Sequence, residues 1–547
     1  MTIDDAKRSG AGAATTVRDA ALELFRAHGM TTVFGNPGST ELPMLQEFPD
    51  DFTYVLGLQE AVVVGMADGF AQATGRPTLV NLHTAPGVGN AVGALVNAAA
   101  NRTPLVVTAG QQVRPMMTLE AMLTNPRATE LPRPTVKYSA EPPRAQDVVA
   151  TLARAIHLAT TPPTGPVFVS IPMDDWDVEL TGDDLEVARR AARRRVAMPI
   201  EPSSSGLDTL VAALDGATSP ALVVGGEVDS GGGFDDAVAL AERLGCAVYG
   251  PPADGRVGFP ETHPQFRGAL PMAIAPVSRT LAAHDVVLVL GTAVFRYYPY
   301  VPGGFLADGT TLLHVTSDPD EAARAPMGDA LVADPTSVVR ALLSRVAPSD
   351  RAPAGSPPSA AAAQASSVPG TLSAEEVFDA VGQMWPEDGV VVDESPSNRG
   401  ALHARRRVSR PASSFFTTSG GLGFGLPASV GVALADRSRP VLAAIGDGSM
   451  QYGIQALATA AATGAPVTVL VLENREYAIL KWFAAREDTP KAPGLDLPPV
   501  DFTALAAGYG VPAESVSTAD ELRDALERGR DGEGPRLISV PVGRPAG

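Results

Sequence analysis

Residues 440–450 read PVLAAIGDGSM and residues 466–474 read PVTVLVLEN. Each is an almost unbroken apolar run with a polar carboxyl end, at Asp447 in the first and Glu473-Asn474 in the second. A strand with one wet face alternates apolar and polar positions, whereas a strand apolar on both sides is buried on both sides. Such strands build parallel sheets covered by helices, and those sheets bind ligands at their carboxyl edge. The glycines around Asp447 let backbone amides approach an anion, and a helix beginning near Ser449 would aim its first N–H groups into the same space. Taken alone, Gly-Asp-Gly is also an ordinary turn after a strand. Asn474, a second oxygen donor at a matching strand end, makes the pair a candidate cradle for Mg²⁺ and a diphosphate, since Mg²⁺ needs only a few hard protein oxygens beside those of phosphate.

The same pattern extends outward in both directions. GVVVDE (389–394) is a further apolar strand of the third block, and ALVVGG (221–226), CAVYG (246–250) and DVVLVLG (285–291) are strands of a second. Between these last, Phe234 to Leu244 has helical spacing. Nearer the start, Thr16 to Ala27 and Glu60 to Ala73 are helical, while Thr31 to Phe34 and Thr78 to Leu82 are strands. Composition breaks at about 177–205, where acidic, basic and Pro/Ser-rich stretches follow one another, and at 347–371, rich in Ala, Ser and Pro. Both are expected to be linkers. The expected fold is α/β, with three doubly wound parallel-sheet domains over 12–177, 203–346 and 372–545.

The chain has 547 residues, enough for three or four units of roughly 150. With 42 Lys and Arg against 61 Asp and Glu, its net charge of -19 repels phosphates and disfavours nucleic acid and anionic membrane as partners. Its one cysteine, Cys246, excludes an intrachain disulfide. MTIDDAKRSG lacks the regions of a signal peptide, and no run of 18 apolar residues occurs, so a cytoplasmic location is expected. The glycine-rich middle block lacks a GxGxxG with a following acid, so a structural role is expected there rather than NAD or FAD binding. Histidines 28, 157, 263, 284, 314 and 403 show no metal-ligand spacing and are expected at the surface or in the core.

GDGS, then the interval to Glu473-Asn474, resembles the thiamine-diphosphate motif, which usually ends in Asn-Asn; Glu473 departs from it at the first Asn. VFGNPGSTELP (33–43), LQEAVVVGMADGFAQA (58–73), NLHTAPGVGNAVGALVNA (81–98), VFRYYPY (294–300), GGLGFGLPA (420–428) and PGLDLPPVDF (493–502) extend the likeness along nearly the whole chain. The chain resembles the thiamine-diphosphate-dependent 2-keto acid decarboxylases, and among them most the benzoylformate decarboxylases. The resemblance implies pyrimidine-binding, central and diphosphate-binding domains in that order. It implies thiamine diphosphate and Mg²⁺ as cofactors, and a homodimer or homotetramer with active sites at the subunit interface.

Residue by residue, the resemblance implies that Asp447, Asn474 and the backbone oxygen of Glu476 hold the metal, with Gly448, Ser449 and Ser397 also at the cofactor. Glu60 is the carboxyl that activates the cofactor's pyrimidine ring; as sequence alone it is also a helix-starting acid. Leu422 is the apolar wedge beneath the two rings and the Gly420 carbonyl accepts from the pyrimidine amine, although GGLGF alone could be any glycine turn. Ser39 and His83 contact substrate, the serine at its carboxylate and the histidine as a proton shuttle; as sequence alone, Ser39 could close a turn and His83 cap a strand. The substrate pocket also takes Tyr298, Phe416, Ile479 and Phe483. Tyr298 stands where the family carries a second histidine, and a phenol, which ionises near pH 10, is a poor proton shuttle. Ile479 replaces a smaller residue. The implied activity is non-oxidative decarboxylation of a small-molecule 2-keto acid, aryl in preference, to an aldehyde and CO₂. Carboligation of the acetolactate synthase or benzaldehyde lyase type is the alternative.

Overall fold

The computed structural model describes residues 15–197, 199–351 and 357–543. Three parallel sheets of six strands each follow in chain order. The first is built of β1 (Thr32–Asn36), β2 (Thr53–Leu56), β3 (Thr78–Leu82), β4 (Leu105–Gln111), β5 (Tyr138–Ala140) and β6 (Val167–Pro172), in the order 2-1-3-4-6-5. The second contains β7 (Pro220–Val224), β8 (Ala247–Gly250), β9 (Phe266–Ala269), β10 (Val286–Leu290), β11 (Thr311–Thr316) and β12 (Asp329–Val332), ordered 12-11-10-7-8-9. The third contains β13 (Val390–Glu394), β14 (Ser414–Phe416), β15 (Val441–Gly446), β16 (Val467–Glu473), β17 (Ala513–Ser515) and β18 (Arg536–Pro541), ordered 14-13-15-16-18-17. The first and third sheets therefore share one strand order.

Alternate residues of β10 explain why its sequence is apolar throughout. Val286, Leu288 and Leu290 feed the core on one face, while Val287 and Val289 feed a second core on the other. Helices cover both faces, as a doubly wound sheet requires. In sheets of this order the chain leaves the first strand in one direction and later crosses to the other side. This opens a crevice between β1 and β3 in the first sheet and between β13 and β15 in the third.

The chain divides into two compact units. One runs to Ala67 and from Arg76 to Ala197 and holds the first sheet; the other comprises Asp68–Gly75 and the chain from Met198 on, with the second and third sheets. The three domain ranges stand as our proposal, and their outer ends at 12–14 and 544–545 lie outside the described residues. One expectation is corrected: the stretch at 177–205 is not simply an exposed connector. Gly182–Arg193 forms a helix with Ala188 and Ala192 buried. It packs on the helices Val17–Ala27 and Val148–Thr160. Alanines four apart on one face let a highly charged helix lie close to its neighbours while its arginines stay in water. No helix or strand forms in the described parts of 347–371, and residues 352–356 of that stretch lie outside them.

Candidate active site

In the first unit the crevice between β1 and β3 gathers the polar groups. Glu60 starts the helix Glu60–Thr74 and is buried. Its Oε1 accepts from the Asn36 amide at 3.1 Å, at the end of β1, and its Oε2 from the Asn90 amide at 3.0 Å. A Cβ on Gly87 would lie 3.2 Å from Glu60 Oε1 and from His83 Cβ, so glycine is what lets the helix Thr84–Ala100 pass this close.

His83 follows β3 and occupies the N-terminal cap of that helix, yet its side chain makes no capping bond. It turns to Glu41 instead: Nδ1 lies 2.9 Å from Glu41 Oε2 and 3.2 Å from the Thr40 hydroxyl. Glu41 is fully buried and accepts from four further donors: the Gly38 N–H at 2.8 Å, the Thr40 hydroxyl at 2.7 Å, the Gly110 N–H at 2.8 Å and the Thr84 N–H at 3.3 Å. A carboxylate on Nδ1 assigns the proton to that nitrogen and leaves Nε2 as the basic position. A Cβ at Gly38 would fall 2.1 Å from Nδ1, so the loop bearing Ser39 lies directly against the imidazole, with Ser39 itself exposed.

The second unit presents the candidate cradle. Asp447 follows β15; its Oδ1 accepts from the Gly448 N–H at 2.8 Å and its Oδ2 from the Arg475 N–H at 2.6 Å. Burial pushes its carboxyl above the usual carboxylate range, and among the described residues no side-chain cation pairs with it. Asn474 Oδ1 accepts from the Glu476 N–H at 3.1 Å, and the Glu476 side chain is tied to Lys481 at 2.5 Å. A Cβ at Gly448 would meet the Tyr477 ring at 2.6 Å. Asp447 and Gly448 face a cavity of about 190 Å³ with Tyr477 and Leu497. Among the described residues no three His, Cys, Asp or Glu side chains cluster as a metal nest. A metal here would therefore rest on one carboxylate, one amide and a backbone carbonyl, a donor set that suits a hard cation keeping phosphate oxygens. A buried acid with no cation partner and a glycine with no room for a side chain fit Mg²⁺ and a diphosphate. The helix expected near Ser449 begins at Asp447 and has only four residues, Asp447–Met450. Its Gly448 N–H is already bonded to Asp447, so it offers little of the helix-end field that was expected.

Gly420 and Gly423 adopt φ of 77° and 100°, a backbone that favours glycine, and between them Leu422 stands half-exposed. The turn is held on Glu394, at the end of β13, by N–H groups of Gly423 and Gly425 at 2.6 Å each. Ser397 lies half-buried in the turn after β13, and Phe416 ends β14 under the Arg399 guanidinium, 3.9 Å from its ring centre. The ring centres of Tyr298 and Phe483 are 4.6 Å apart. Phe483 shares the helix Ala478–Arg486 with Ile479, one turn earlier. Glu473, the departure from Asn-Asn, bonds the Ser539 hydroxyl and is pushed up to about 6, by burial first and then by Asp447.

Residues 15–126 match the N-terminal TPP binding domain of thiamine pyrophosphate enzymes, residues 207–342 the central domain and residues 398–540 the C-terminal TPP binding domain. The chain belongs to the thiamine pyrophosphate enzyme family. It is 48% identical to benzoylformate decarboxylase of Pseudomonas aeruginosa over 96% of this chain and 99% of that one. Among solved structures, the thiamine diphosphate-dependent 4-hydroxybenzoylformate decarboxylase of Rhodococcus jostii RHA1 superposes with a TM-score of 0.93 at 46% identity, covering 96% of this chain and 99% of that one. Benzoylformate decarboxylase from Polynucleobacter necessarius gives 0.93 at 38% identity, covering 97% and 99%.

Within this thiamine pyrophosphate enzyme, sequence reasoning missed Asn36, Asn90, Glu41 and Glu394. A signal existed for two of them. Glu41 is the sole charge in GNPGSTELP, and Glu394 ends the apolar strand GVVVDE as Asp447 follows its own. The two asparagines carry no such mark, because their role depends on where helix and strand ends meet.

Proposed function

We propose that the substrate is an aryl 2-keto acid, converted to its aldehyde and CO₂, with Mg²⁺ anchoring the cofactor. The chain is a thiamine-diphosphate-dependent 2-keto acid decarboxylase by family and by whole-chain likeness to such enzymes. When bound, thiamine diphosphate supplies a nucleophilic carbon and a sink for the electrons left when CO₂ departs. The chain's own groups do the rest. Glu60, fixed by Asn36 and Asn90, holds a proton at the pyrimidine nitrogen. Leu422 and the Gly420 carbonyl orient the rings, and Asp447, Asn474 and the Glu476 carbonyl hold the metal. Ser39 binds the substrate carboxylate. Phe416, Ile479, Phe483 and Tyr298 surround its side chain with apolar surface, which favours an aryl group.

The observation that carries this proposal is the lock of His83 on buried Glu41. Decarboxylation to an aldehyde consumes one proton per CO₂, and an imidazole with Nδ1 on a carboxylate and Nε2 free is built to deliver it. We further propose a cytoplasmic homodimer or homotetramer whose centres combine the two half-sites at the subunit interface; among the described residues no helix is long and apolar enough to cross a membrane. The test is to load purified protein with Mg²⁺ and thiamine diphosphate and to follow CO₂ and aldehyde from a panel of aryl and alkyl 2-keto acids. Benzoylformate or a ring-substituted relative is expected to give equal amounts of both. A 2-hydroxy ketone as the main product would replace decarboxylation with carboligation, and turnover of alkyl acids alone would remove the aryl assignment.

A further inference from the structure

The glycine turn that presents Leu422 is held by a side chain outside the roles assigned above. Glu394 is 1% exposed, at the carboxyl end of β13. Its Oε1 accepts from the Gly423 N–H and its Oε2 from the Gly425 N–H, each at 2.6 Å. The turn is pressed flat on this strand end, since a Cβ at Gly425 would fall 2.6 Å from Glu394 Cβ. The neighbouring Asp393 is engaged elsewhere, with the Ser395 N–H at 2.8 Å, the Ser395 hydroxyl at 2.6 Å and Arg399 at 3.2 Å. Among the described residues no Arg, Lys or His pairs with Glu394. Burial pushes its carboxyl up to about 7 against the opposing pull of the backbone N–H groups.

A buried carboxylate with no cation is costly for a fold. It is worth keeping where both oxygens are needed, and here two N–H donors two residues apart meet two acceptors. Glutamine has one acceptor oxygen and would turn an amide N–H toward one of those donors. We propose that Glu394 is a positioning residue for cofactor geometry: its two-pronged bond to Gly423 and Gly425 fixes the turn, and through it the Leu422 wedge and the Gly420 carbonyl. This rests on Leu422 and Gly420 being the pair that faces the cofactor rings.

The test uses the full-length protein and the Glu394→Gln variant, with two readouts. In cofactor-free protein, amide hydrogen exchange of a peptide spanning 420–425 is expected to quicken about tenfold or more, with exchange in β15 and β16 unchanged. Thiamine diphosphate with Mg²⁺, titrated by tryptophan fluorescence, is expected to bind about tenfold or more weakly. Glu394→Asp, which keeps the charge but withdraws the oxygens by one methylene, is expected to fall between the two, and it carries the same test should the Gln variant not fold. Unchanged exchange at 420–425 overturns the clamp. Faster exchange with wild-type cofactor affinity makes Glu394 a purely structural residue and overturns the positioning role. Asp447→Ala in the same titration separates these outcomes from failure of the cofactor reading itself, because wild-type affinity in that variant would sink the cradle rather than the clamp.

Discussion

Glu41 concentrates the Gly38, Gly110 and Thr84 N–H groups, the Thr40 hydroxyl and His83 Nδ1 on a single buried carboxyl, and so decides which nitrogen of His83 carries the proton. Glu41→Gln is expected to lower kcat about tenfold to a hundredfold with a smaller change in KM, and His83→Ala to cost about 10²–10⁴-fold. Because the two act as one unit, the double variant is expected to be no worse than His83→Ala alone. Steady-state kinetics of the four proteins decide this, and simple multiplication of the two losses would show that Glu41 does not act through His83. A second residue-scale effect concerns stability. His28 packs edge-on against His157 with ring centres 5.5 Å apart, and the Nε2 of each is buried without a partner among the described residues. Burial first, and then Arg195, pushes His28 down to about 4 from its usual 6.5, and burial lowers His157 as well. Above pH 6.5 both folded and unfolded chains carry neutral rings and the pair adds no pH dependence. Between about 6.5 and 4 only the unfolded chain takes up the proton, so stability falls as pH falls. Urea midpoints are expected to drop from pH 7 to pH 5, and His28→Gln is expected to flatten that drop; an unchanged slope would clear this pair.

At the scale of elements, several central strands were legible because burial on both faces leaves an apolar run, whereas short edge strands such as Asp329–Val332 and Ala513–Ser515, with exposed positions, carry no such run. TLVNL appears at Thr78–Leu82 and VVLVL at Val286–Leu290, where their patterns place them. The helix Gly182–Arg193 was not, because its contact stripe is alanine and a string of arginines and acids dominates its reading. The candidate site divides the same way. Asp447 and Asn474 announce themselves as polar stops on apolar strands, whereas Asn36 and Asn90 become partners of Glu60 only when β1 and the helix Thr84–Ala100 converge. The tight fit after β15 gives an element-scale prediction. Gly448→Ala is expected to weaken binding of Mg²⁺ and thiamine diphosphate about tenfold or more, because the added methyl needs the space of the Tyr477 ring. Tyr477→Ala in the same protein is expected to restore part of it. Titration of the single and double variants gives the answer, and wild-type affinity in Gly448→Ala would mean that the cradle lies elsewhere.

At the scale of the whole molecule, the proposed site residues divide between the two compact units. On the proposed reading, the first supplies the activating carboxyl and the proton-bearing imidazole, Glu60 and His83, and the second the diphosphate cradle and the wedge, Asp447 and Leu422. With these roles neither half would suffice alone, and our proposal is that the two meet across subunits of an oligomer. Co-expression of Glu60→Gln and Asp447→Ala chains under different affinity tags isolates mixed oligomers that test it directly. If each centre takes Glu60 from one chain and Asp447 from another, a mixed pair contains one intact centre and one doubly damaged centre, so activity reappears although both parent variants are inactive. Mixed oligomers no more active than either parent would contradict the claim, because every centre would then draw both residues from the same damaged chain.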